Sequence, residues 1–116
     1  MCCVEGNIYL VGGGDRVTEF NPYTKTWRNM PSLQQSRHYP SVCTLDNKIF
    51  VLGGSASTCE MLDLSDDDPH WRNVANINRG HKYGSVVLIE KKIYVLSGES
   101  TIVEVYDVDQ GILIEY

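Results

Sequence analysis

The sequence predicts an all-β fold built from repeats. Three stretches say the same thing: "GNIYLVGGG" from Gly6, "NKIFVLGGS" from Asn47 and "KKIYVLSGE" from Lys91. Each sets a polar turn before four apolar residues and ends them near glycine. Their isoleucines, Ile8, Ile49 and Ile93, lie 41 and 44 residues apart, and Trp27 and Trp71 lie 44 apart. A period of that size marks a repeat architecture before any local propensity is consulted. No window carries an i, i+3, i+4, i+7 apolar pattern long enough for a helix.

Taken in order, each copy reads as short strands divided by turn signals. The glycine-ended run is followed by a second strand signal, "TEFNPYTKTW", "EMLDLSDDDPHW" and "EVYDVDQGIL" in the three copies. Phe20, Leu62 and Tyr106 align there, and Asn21, Asp63 and Asp107 follow them as turn formers, with Pro22 presetting its own φ. Upstream, "SRHYPSVCTLDNKIFV" aligns without a gap on "GHKYGSVVLIEKKIYV", matching Tyr39 with Tyr83 and Ser41 with Ser85. The glycine-ended runs are apolar on both faces, so each sheet must be covered on both sides by another like it.

These elements, the I-[YF]-[VL]-[LV]-G-G run, the turn after the next strand, the following Trp and Arg37 upstream, resemble kelch repeats over essentially the whole chain. The resemblance implies a partial kelch β-propeller of about three four-stranded antiparallel blades, incomplete and not closed. Residues 1–40 would form blade 1, 41–83 blade 2 and 84–116 blade 3. Ser41 to Leu45 would be the innermost strand of blade 2, Lys48 to Leu52 the second, Cys59 to Leu64 the third and the segment from Trp71 the outermost. Blade 1 is expected to lack its inner strand, and the glycines to leave space for a bulky aromatic. Trp27 and Trp71 are both expected to be buried. The pattern departs at Ser97, at Leu113 in place of Trp, at the acidic insertion Asp66-Asp67-Asp68 and at His81, which aligns with Arg37.

Composition excludes several functions. The chain has 116 residues, 42% of them apolar, with ten basic and fifteen acidic residues for a net charge of −5. It has no basic stripe to hold nucleic acid. No apolar run approaches the roughly 20 residues that cross a bilayer, and the first residues do not read as a signal sequence, so a cytoplasmic location is expected. Cys2, Cys3, Cys43 and Cys59 form no C-x-x-C pair and read as reduced thiols, Cys43 as a small core residue. "VGGGDR" is not followed by Lys-Ser/Thr and leads into a strand, which argues against a phosphate loop. "DLSDDDPHW" lacks the glycine and closing Glu of a calcium loop. His38, His70 and His81 have no helical pairing, and neither a Ser-His-Asp order in context nor a nucleophile elbow is present. No metal, cofactor or catalytic residue is expected.

The resemblance instead implies a non-enzymatic protein-interaction module, similar to the substrate-recognition part of BTB-kelch adaptors of cullin-type ubiquitin ligases but without the BTB part. Short kelch chains also resemble those of pox-group DNA viruses, which would place the protein in host cytoplasm. In the BTB-kelch family one face of loops grips a partner peptide, often through arginines in the position of Arg37. The matching contacts are Arg37, His38 and Tyr39, the aligned His81, Lys82 and Tyr83, and Arg16 and Ser55. A loop guanidinium at Arg37 would suit an acidic partner, and Arg37→Ala would then cost little stability. Two alternatives stand beside this reading: a remnant of a longer gene with no independent activity, and, more distantly, a copper-dependent oxidase-like propeller. The open sides of an unclosed propeller also predict self-association.

Overall fold

A computed structural model describes residues 2–55, 58–76, 85–96 and 103–115. Among these residues twelve strands form three separate four-stranded antiparallel sheets, each a meander of consecutive strands. Blade 1 comprises β1 (Cys2–Val4), β2 (Asn7–Val11), β3 (Val17–Asn21) and β4 (Thr26–Asn29). Blade 2 comprises β5 (Ser41–Leu45), β6 (Lys48–Leu52), β7 (Thr58–Asp63) and β8 (Arg72–Asn76). Blade 3 comprises β9 (Ser85–Ile89), β10 (Lys92–Leu96), β11 (Val103–Asp107) and β12 (Ile112–Glu115). Among the described residues no sheet closes on itself. The fold is the partial propeller expected, with one correction: blade 1 has an inner strand. Val4 pairs with Asn7 and Cys2 with Tyr9 across the turn at Glu5-Gly6, where both φ are positive. Such mirror-image turns follow the twist of a hairpin, so three residues suffice for a strand that a search for a longer run misses.

The register repeats as the sequence does. Ile8 faces Phe20, Ile49 faces Leu62 and Ile93 faces Tyr106 across the second and third strands. After the third strand Asn21 Oδ1 accepts from the amide of Tyr23, Asp63 Oδ1 from Ser65, and Asp107 Oδ1 from Gln110. These side chains replace the missing ladder partners and turn the chain. The Ser65 hydroxyl and amide also hold the Asp63 carboxyl below its ordinary range.

Alternation gives each sheet two faces. The leading face, carrying the repeated isoleucine, turns toward the preceding blade, and the trailing face toward the next. Tyr9 and Val17 on the trailing face of blade 1 pack with Ile49, Leu62 and Trp71 of blade 2 in one core. Phe50, Leu52 and Met61 of blade 2 pack with Ile93, Val95 and Tyr106 of blade 3 in a second. Trp71 is 2% exposed and its indole donates to the Pro31 carbonyl at 2.8 Å. Trp27 is 61% exposed, against the expectation. The repeat does place it equivalently, on the leading face of blade 1 beside Phe20, with ring centroids 4.8 Å apart. Among the described residues no blade lies on that face.

The glycines that end β6 have a different role from the one expected. A Cβ on Gly54 would stand 2.6 Å from the His38 carbonyl oxygen and 3.0 Å from Pro40 backbone atoms, and φ there is +77°. The room is for main chain, not for an aromatic ring. Gly13, at the aligned position in blade 1, has φ +73° with nothing within 4 Å. Gly13→Ala is therefore expected to cost only the left-handed penalty of about 1–2 kcal/mol. Gly54→Ala should cost that plus about 1–3 kcal/mol for the clash. Urea denaturation of the two variants measures the difference, and equal losses would mean that the 38–40 segment yields freely.

All four cysteines are free thiols. Burial pushes the Cys2 thiol up to about 11 and those of Cys43 and Cys59 up to about 12. At pH 8 only about one in ten thousand of a thiol titrating near 12 is thiolate, the form that reacts. Iodoacetamide at that pH is expected to label exposed Cys3 first and to reach Cys43 and Cys59 only on unfolding, as peptide mass mapping would show.

Candidate functional site

The loops that follow the second strands and precede the inner strands meet at one end of blades 1 and 2. Between the β2–β3 loop and the β4–β5 segment, Gly14 and Arg37 exchange two backbone hydrogen bonds, of 3.1 and 2.8 Å. The β6–β7 loop joins them where the Ser55 hydroxyl accepts from the His38 amide at 3.0 Å. Arg16, His38, Tyr39 and Ser55 are exposed on this rim, Tyr39 by 61% and with φ +55°. The expected contacts His81, Lys82 and Tyr83 lie outside the described residues.

Arg37 is not on the rim. Its side chain is fully buried and its donors are turned inward. Nε and Nη2 donate to Glu60 Oε2 at 3.1 and 2.9 Å, Nη1 to the carbonyls of Gly53 and Thr58 at 3.0 and 2.5 Å, and Nη2 also to Thr58 Oγ1 at 2.7 Å. Glu60 is equally buried, and its Oε1 accepts from the Gln34 amide at 2.6 Å. A fork of five donors matches these acceptors, which end β6 and begin β7. The expectation of a guanidinium offered to a partner is corrected by this arrangement: Arg37 anchors the platform whose surface is His38, Tyr39 and Ser55.

Glu60 was passed over in reading the sequence, although a signal was there. A glutamate recurs at the same repeat position as Glu104, inside an apolar strand, and both are 0% exposed. A charge repeated at a covered strand position implies a partner.

At the other end a cleft of ≈ 370 Å³ lies between blades 1 and 2, lined by Tyr9, Glu19, Arg28, Asn47 and Pro69 among others. Tyr9 and Glu19 are cross-strand partners, as are Glu19 and Arg28. Glu19 Oε2 accepts from the Tyr9 hydroxyl at 2.5 Å and from Arg28 Nη2 at 3.1 Å. Burial and the neighbouring carboxylate push the Tyr9 phenol well up, so it stays a proton donor. The phenol and the carboxylate satisfy each other across the strands. Among the described residues no three His, Cys, Asp or Glu side chains gather as a metal site, and no helix is long and apolar enough to cross a membrane.

The geometry defines a repeat protein whose blades stack through their faces and present loops at their ends. Residues 36–78, which hold Arg37, the whole of blade 2 and the glycine pair, match the kelch motif. A putative F-box/kelch-repeat protein of Arabidopsis thaliana is 43% identical over 63 residues, covering 49% of this chain and 20% of the relative. Two further F-box/kelch-repeat proteins of the same plant are 40% identical over 53 residues and 36% identical over 66, covering 40% and 52% of this chain and 15% and 17% of theirs. The chain thus spans about a fifth or less of the length of these curated relatives. The match falls on the central one of the three sheets, and the fold is that of a partial propeller.

Proposed function

We propose that this chain is a non-enzymatic protein-interaction module, acting in the cytoplasm as the recognition part of an adaptor. The carrying observation is the exposed rim of Arg16, His38, Tyr39 and Ser55 on a platform fixed by a buried ion pair, a combination of accessible polar and aromatic groups on rigid support that suits recognition. The relatives' names pair kelch repeats with an F-box, so an F-box replaces the BTB part as the adjoining piece this reading expects. With Arg37 buried, Arg16 and His38 are the rim groups left to favour an acidic partner.

A photo-crosslinking residue at position 39 tests the site, with position 23 as control, since Tyr23 is 85% exposed in the β3–β4 turn at the other end of the sheet. The expected result is one discrete protein adduct from position 39 alone. Against that protein, Tyr39→Ala is expected to lose about tenfold in affinity with an unchanged melting temperature. Adducts from position 23 alone, or equal affinity in the variant, would move the site elsewhere.

A further inference from the structure

Glu19 breaks the repeat at a covered position. In the cross-strand row on the trailing face, blade 1 carries Tyr9, Glu19 and Arg28, blade 2 carries Phe50, Met61 and Arg72, and blade 3 carries Tyr94, Val105 and Ile114. The middle place is apolar in two copies and a carboxylate in one. Glu19 is 7% exposed and Met61 8%, so the charge is as well covered as the thioether at the same place in the next blade and has to be met there. One of its oxygens is met. The Tyr9 hydroxyl and Arg28 Nη2 both donate to Oε2. Among the described residues no donor reaches Oε1, although the side chain is more than nine-tenths buried and lines the cleft between blades 1 and 2. A carboxylate has about four acceptor sites, so a further donor has a place to bind.

The walls of the cleft select the donor. At ≈ 370 Å³ it falls within the roughly 300–1,000 Å³ of small-ligand sites. Glu5 and Glu19 line it against the single cation Arg28, so a monocation would neutralise it. Exposed Asp66, Asp67 and Asp68, which lead into Pro69 of the wall, add to the negative field. Met30, Leu64 and Pro69 supply apolar surface on which a methylene stem can lie while its charged head stays with polar groups. With Oε2 already engaged by Arg28, a planar guanidinium fork would find one oxygen where it needs two, whereas a compact ammonium needs only one. We propose that this cleft binds an alkylammonium group, its head donating to Glu19 Oε1 and its stem lying against Met30, Leu64 and Pro69. Two sources carry that chemistry, the lysine side chain of a partner protein and a free alkylamine. The site lies at the end of the blades opposite the rim of Tyr39 and does not depend on it.

Titration of the 116-residue chain with Nα-acetyl-lysine methylamide, its norleucine counterpart and n-butylammonium, followed by amide nuclear magnetic resonance, tests this. The lysine compound is expected to shift the amides of Asn7, Glu19, Arg28 and Asn47, and the uncharged norleucine compound to bind at least about tenfold more weakly. Glu19→Gln keeps the shape of the side chain and is expected to weaken both amines at least about tenfold. Because that position is buried, Glu5→Gln in the exposed β1–β2 turn serves as a second variant, expected to weaken both several-fold with an unchanged melting temperature. Tighter binding of the lysine compound than of butylammonium supports a protein side chain as the source, and equal binding supports a free amine. Equal binding of norleucine overturns the proposal, as does undiminished binding to either variant. So does the lack of any shift at tens of millimolar, which would leave Oε1 to water alone.

Discussion

Arg37→Ala is expected to destabilise the chain by about 3–5 kcal/mol, because it leaves the Glu60 carboxylate buried without its cation. Whole domains are stable by only about 5–15 kcal/mol, so much of the variant should be unfolded near body temperature. Three acceptors besides the carboxylate each lose one donor with it: the carbonyls of Gly53 and Thr58 and the Thr58 hydroxyl. The double variant Arg37→Met with Glu60→Leu removes both charges and should recover part of the loss. It should not recover all of it, since the Gly53 carbonyl still misses the guanidinium donor, while the Thr58 carbonyl keeps the Gly53 amide at 3.1 Å. Urea denaturation of the three proteins measures these effects. A loss under about 1 kcal/mol in Arg37→Ala would return the guanidinium to the rim.

Trp71→Ala is expected to cost about 3–5 kcal/mol, the range for emptying a large buried aromatic site. The same change at Trp27 should cost under about 1 kcal/mol, since the ring is largely exposed and lies beside Phe20. Fluorescence separates the two indoles without testing stability. With Trp27→Phe, the remaining Trp71 should emit in the blue and resist iodide. With Trp71→Phe, the remaining Trp27, 61% exposed, should be quenched. Equal quenching of both would contradict the packing of blade 2 on blade 1.

The repeat made the fold class and the strand order legible, because periodicity fixes which residues occupy equivalent places in successive sheets. Burial was not legible to the same degree. Trp27 and Trp71 occupy equivalent positions, and what separates them is whether a sheet lies alongside, a property of the neighbour and not of the residue. Arg37 misled for a related reason. Segments without regular structure ordinarily run over the surface, yet this one passes under its own rim, and only the acceptors on β6 and β7 explain why a charged side chain turns inward.

The doubled amide link between Gly14 and Arg37 has a consequence for how the molecule comes apart. The same residue that clasps blade 1 through its main chain is rooted in blade 2 through its guanidinium, so neither blade can loosen without disturbing the other. In a stack where each unit touches only its neighbours, cooperativity is set by such couplings one junction at a time. Amide protons of β2, β3, β6 and β7 are therefore expected to exchange with solvent together, as a single cooperative unit.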